Sequence, residues 1–192
     1  MCLIYSGLIT TNGIYTIIVK KLVVLGLDQN IIDWVVSFLS DRQQCTKGGH
    51  KTSATRIINR SIVQGSGVGP SLFIVLVIDL RPQGSTNHMT KYADDTSLLV
   101  PEINTVSLQE EFDHLQVWAQ TNKLIINMLE TKEIVFHRSN HRGLVMPSPL
   151  ANINRVKFAK LLGVYIMDNL GVGKEIDYLL KNATSGYTFL IR

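Results

Sequence analysis

"KYADDTSLLV" (residues 91–100) sets two carboxylates, Asp94 and Asp95, side by side after Tyr92 and Ala93 and directly before an apolar run. Like charges so placed repel, and only 18% of the chain is charged. The doublet therefore needs either a solvated turn or a compensating cation. Tyr92 before it and Leu98 and Leu99 after it are strand formers, so the stretch predicts a β-hairpin with the acids at its tip. A tip of this kind can offer oxygen ligands to a hard divalent cation, Mg²⁺ or Mn²⁺. Magnesium usually takes one or two carboxylates together with substrate phosphates. Two-metal phosphoryl and nucleotidyl transfer uses that arrangement. The competing reading of an adjacent acid pair is a hydrated turn.

Outward from the hairpin, helical and extended patterns alternate irregularly, which predicts an α+β fold rather than a regular βαβ sheet. Residues 14–27 read as a helix ended near Gly26. Residues 29–42 repeat Ile31, Ile32, Val35, Val36 and Leu39 at helical spacing, with Trp34 read as core. Residues 43–60 read as two polar strands about a Gly48-Gly49 turn. "VQGSGVGPSLFIVLVIDL" (63–80) is a glycine-rich loop followed by an apolar helix, with Pro70 suited to its first turn. Residues 83–89 read as a polar loop. Residues 107–122 form the clearest helix: Ser107 and Glu110 make a capping box, and Leu108, Phe112, Leu115 and Ala119 make one apolar face. Phe112 and Trp118 read as core. "KLIIN" and "KEIVFHR" read as short strands around "MLET", and residues 155–167 as strand. The chain ends in a helix with Ile176, Leu179, Leu180 and Ala183 on one side.

Composition narrows the classes. A chain of 192 residues with 45% hydrophobic residues can build a real core. A net charge of +4 permits a polyanionic partner, and equally a merely soluble surface. Cys2 and Cys45 lack zinc spacing and fit a reduced compartment. His137 and His141 in "HRSNH" form an i,i+4 pair without an acidic or thiol neighbour in sequence, a poor metal site. No run reaches membrane-spanning length and no basic leader precedes the apolar start. An intracellular protein, cytoplasmic or nuclear, is expected, with no membrane partner.

"YADD" resembles the metal-binding box of reverse transcriptases, especially those of non-LTR, LINE-type retrotransposons. Other segments resemble that family in its own order across residues 14–192. "FLSDRQQ" is similar to the segment before the glycine-rich box, and "VQGSGVGPSLFIVLVIDL" to that box and its helix. "LQEEFDHLQVWAQTNKLIINMLETKEIVFHR" is similar to the helix and strand pair after the metal hairpin. "FAKLLGVYIMDNL" is similar to the later Leu-Gly-Val box. Several weak motifs in one correct order are far more specific than any single one.

The resemblance implies an RNA-directed DNA polymerase: a palm-like antiparallel sheet packed on helices over 1–167, and the start of a thumb or connection helix over 168–192. It implies Mg²⁺ or Mn²⁺ as cofactor and RNA template, DNA primer and deoxynucleoside triphosphates as partners. Asp94 and Asp95 would ligate metal. Tyr92 and Ala93 would floor the primer end, and Gln64, Gly65 and Ser66 would line the nucleotide and template pocket. Lys132 would sit near the leaving pyrophosphate, or else be a solvated strand lysine. The alternative for Gly65 and Gly69 is that they serve only the turn. Leu162, Gly163 and Val164 would form the primer grip, with Leu162 and Val164 core residues in either case.

The chain also departs from the pattern. The family's third carboxylate belongs to a box of type Asp-x-x-x-Ala-Phe-Asp, expected near residues 5–11. Here that stretch reads "YSGLITT", no acid occurs before Asp28, and Tyr5 stands in the ligand's approximate place. Ser61 and Val63 replace Gly and Pro of the glycine-rich box. Ile78 replaces an Asn, and Glu130 a Lys. The expected tryptophan is missing around Gly171 to Gly173. By comparison with the family's pattern, the fingers are expected to be missing and the thumb only begun. These departures predict weak metal binding and little activity, and leave a non-catalytic retrotransposon remnant as the alternative.

Overall fold

The computed structural model describes residues 1–58, 62, 65–137 and 146–190, with 183–190 by backbone alone. In chain order the elements are β1 (Cys2–Thr10), α1 (Ile14–Val24), α2 (Gln29–Leu39), β2 (Gln43–Gln44), β3 (Lys47–Gly48), β4 (Lys51–Thr52) and β5 (Arg56–Ile57). Next come α3 (Gly69–Val77), β6 (His88–Tyr92), β7 (Asp95–Val100), α4 (Leu108–Thr121), β8 (Leu124–Ile126) and β9 (Lys132–Val135). The chain closes with β10 (Asn154–Arg155), β11 (Phe158–Leu161), β12 (Val164–Met167) and α5 (Gly173–Leu190). The α+β class expected from the sequence is the class observed.

The main sheet runs β10-β9-β1-β7-β6, and β8 pairs the far end of β1. All its pairings are antiparallel except β9 with β10, which is parallel. Strand β1 is central. Its sequence CLIYSGLIT carries no charge, as a strand flanked on both sides and largely buried requires. Alternate positions divide the faces. Ile4, Leu8, Leu98 and Val100 join Ile14, Ile18 and Leu22 of α1, Leu72 and Leu76 of α3, and Phe112, Leu115 and Ala119 of α4 in one core. Tyr5, Asp95 and Ser97 fall on the opposite face and stay half-buried.

Local chemistry explains the boundaries. The capping box of α4 is formed: Ser107 Oγ accepts the Glu110 N–H, and the Glu110 carboxylate accepts the Ser107 N–H at 2.8 Å. Hydrogen bonding from the Ser107 side chain and backbone N–H holds the Glu110 carboxyl below its ordinary pKa. Pro70 occupies the first turn of α3, and the polar stretch forms the β3–β4 hairpin around Gly49 and His50, flanked by the β2–β5 pair. Cys2 is buried and Cys45 exposed, both as free thiols. No helix among the described residues is long and apolar enough to cross a membrane.

Three expectations are corrected. Trp34 is 52% exposed, not core. α2 buries Ile32, Val35 and Leu39, which leaves Trp34 off the packed stripe, stacked on Phe38 one turn on at 5.5 Å. Leu162 and Val164 are also about half exposed. They stand at the turn of the β11–β12 hairpin, a separate two-stranded sheet, with Leu162 and Gly163 both at positive φ. The loop expected over 83–89 ends earlier, because His88 and Met89 pair with Leu99 and Leu98. The fold also adds a neighbour that sequence does not display: His137 Nε2 lies 3.5 Å from Asp168 of a distant turn. His141, Ser61 and Val63 lie outside the described residues.

Candidate functional site

The acid pair sits where its sequence predicts. β6 and β7 pair from His88↔Leu99 to Tyr92↔Asp95, and Ala93 and Asp94 make the two-residue turn. Tight hairpin turns call for positive φ, and Ala93 supplies it at 50°. The turn is fastened to β1 by the Leu8 N–H, which donates to the Asp94 carbonyl at 2.9 Å. Asp94 is exposed and Asp95 half-buried. Tyr92 is 65% exposed at the end of β6.

One cleft of about 590 Å³ brings the turn and the glycine-rich loop together. Ala93 and Asp94 line it with Gly65, Ser66 and Gly67, and Leu8, Ile9, Pro70 and Phe73 supply its apolar wall. Gly65 has φ 78°, a conformation that suits a residue without Cβ. Ser66 Oγ accepts the Gly69 N–H at 3.0 Å, which ties the loop to the start of α3. Gln64 lies outside the described residues.

Tyr5 adjoins the pair from the other side. Its hydroxyl donates to Asp95 Oδ1 at 2.5 Å. Burial raises the Tyr5 pKa well above the ordinary phenol value, and the bond to Asp95 and the negative charges of Asp95, Asp94 and Glu130 raise it further. Glu130 is near enough that a Cβ on Gly7 would lie 3.4 Å from its Oε2. Gly7 faces Asp95 across the β1–β7 ladder. A lone glycine inside a strand signals such a close approach, and it is the one sequence clue to Glu130's position.

Lys132 is set apart from the turn. It pairs with Tyr5 across β1 and β9, and its Nζ donates to the Leu129 carbonyl at 3.0 Å. It lines a second hollow with Tyr5, Glu130, Phe158 and Lys160. The turn of Leu162, Gly163 and Val164 lines neither hollow. Lys160 was not singled out by sequence, yet its Nζ lies 3.8 Å from the centre of the Tyr178 ring. The hydrogen bond between the two side chains raises the Lys160 pKa and lowers that of Tyr178.

The described residues do not make up a two-metal centre. β1 contributes no acid, one oxygen of Asp95 is engaged by the phenol, and no group of three or more ligating side chains occurs among the described residues. Hard cations gain affinity from ligand number and charge, so two carboxylates, one of them engaged, form a poor cage.

Neither a protein-family model nor a curated protein matches this chain.

Proposed function

We propose that this chain is a region of a non-LTR retrotransposon reverse transcriptase, palm-like in its sheet, whose cleft accepts RNA template, DNA primer and nucleotide. The observation that carries the reading is the shared cleft: Gly65, Ser66 and Gly67 face Ala93 and Asp94 across one space of about 590 Å³. A glycine loop admits a nucleic-acid backbone closely, and a carboxylate beside it is where a phosphate-bound Mg²⁺ or Mn²⁺ would be shared. Mg²⁺ or Mn²⁺ is held only weakly here, because the donor set is incomplete. The hydrogen bond from Tyr5 to Asp95 favours the second form of the reading, a non-catalytic remnant that binds nucleic acid weakly.

Fluorescence anisotropy with a labelled RNA–DNA primer–template tests the cleft. We expect binding in the micromolar range or weaker, lost as salt rises. Gly67 lines the cleft and has open space around its Cβ position. Gly67→Glu should weaken binding about three- to tenfold by repelling phosphate, whereas Gly67→Ala should not. Gly48→Glu on the exposed hairpin is the charge control. Equal losses from Gly67→Glu and Gly48→Glu, or no binding at low salt, would reject the reading.

A further inference from the structure

We propose that in this chain the Tyr5 phenol stands in for a cation: its bond to Asp95 is a metal-free tie between β1 and β7 that withdraws Asp95 from metal ligation. The inference rests on the polymerase reading only for the expectation that a cation belongs at this turn.

The ladder register makes the tie possible. Gly7 faces Asp95, and Tyr5 faces Ser97 two residues further along the same face. A tyrosine is long enough to reach a residue on the diagonal, and Tyr5 Oη reaches Asp95 Oδ1 at 2.5 Å. A shorter side chain at position 5 could not span that diagonal.

The tie also answers the repulsion between the two acids. Asp94 is exposed at the tip, where water solvates it. Asp95 is half-buried and receives a hydroxyl donor. Hydrogen bonds to an ionised acceptor are the strong ones. Each carboxylate thus has a partner without a metal. A cation at Asp95 Oδ1 would compete with the phenol for that oxygen, and β1 offers no acid to complete the shell.

Thermal melting and Mn²⁺ titration by electron paramagnetic resonance, on the full chain, test this with Tyr5→Phe and Tyr5→Asp. In chelator, Tyr5→Phe should melt about 2–6 °C below wild type, because the tie is gone. It should also bind Mn²⁺ about threefold tighter than wild type, since Asp95 is released. Tyr5→Asp should bind Mn²⁺ at least about tenfold tighter than wild type through the added carboxylate, and Mn²⁺ should raise its melting temperature. Mn²⁺ should leave the wild-type melting temperature unmoved. A Tyr5→Phe variant that melts like wild type in chelator would overturn the proposal. So would a wild-type chain stabilised by Mn²⁺ as much as Tyr5→Asp. A lowered Tyr5→Phe melting point together with no primer–template binding would remove the polymerase reading alone. Unchanged melting with cleft binding intact would remove the tie alone.

Discussion

Lys91, on the strand leading into the acid pair, donates from Nζ to the Val77 carbonyl at 2.6 Å and to the Leu80 carbonyl at 3.0 Å. From the other side, Lys21 donates to the Leu76 carbonyl and to Asp79, each at 2.5 Å, and lies over the Trp118 ring. Two ammonium groups from β6 and α1 thereby hold the C-terminal end of α3, which has no basic residue in its own last turn. Carbonyl oxygens at a helix C-terminus favour cations. The glycine-rich loop enters α3 at its other end, so these lysines set the helix against the hairpin.

Lys91→Met should therefore destabilise the fold by about 1–2 kcal/mol in urea unfolding near neutral pH. The pH dependence has a definite sign. Burial, and then the neighbouring positive charge of Arg81, lower the Lys91 pKa below the ordinary lysine value. Between that lowered value and about 10.4 the unfolded chain holds the proton more tightly, so stability rises with pH. The advantage of wild type over Lys91→Met should widen across this alkaline window. A difference that shrinks there would contradict the assignment.

Glu111 is fully buried, with the Gln83 and Gly84 N–H groups at 3.1 and 2.6 Å and the Asn87 amide at 2.8 Å. One carboxylate thus organises the loop between α3 and β6. Glu111→Gln replaces an acceptor oxygen by an amide donor facing other donors. It should cost about 2–3 kcal/mol, measured by chemical unfolding, with amide exchange quickened at Gln83 and Gly84.

Ser6 and Thr96 face each other across β1 and β7, are buried, and have no hydrogen-bond partner for either hydroxyl oxygen among the described residues. Removing an unsatisfied buried polar group in favour of an apolar isostere is neutral or stabilising. Thr96→Val should raise stability by about 1 kcal/mol. A loss of that size would mean the hydroxyl has a role in the fold.

Much of this architecture could be read from local pattern. The α4 cap follows from Ser107 and Glu110, the acid turn from strand formers around Asp94 and Asp95, and the β3–β4 hairpin from Gly48 and Gly49. Long-range arrangement was less legible. Local pattern alone did not mark β1 as the central strand, because a strand buried on both faces shows no alternation. Trp34 misled because α2 is apolar on two faces and the fold packs only one. Leu162 and Val164 misled because apolar residues at a hairpin turn look like core in sequence. At the site, Tyr5 was visible as an anomaly, but its bond to Asp95 depends on strand register, which one sequence does not display.

On the proposed reading, the cleft between the glycine-rich loop and the acid turn binds nucleic acid without a complete two-metal centre. Primer extension by the isolated chain, on an RNA template with deoxynucleoside triphosphates and Mg²⁺ or Mn²⁺, tests it most directly. A lost shared ligand removes several kcal/mol of transition-state stabilisation, and each ~1.4 kcal/mol is about tenfold in rate. Extension at background is expected for wild type and, equally, for Asp94→Ala and Tyr5→Asp. Robust metal-dependent extension by the wild-type chain, abolished by Asp94→Ala, would contradict it.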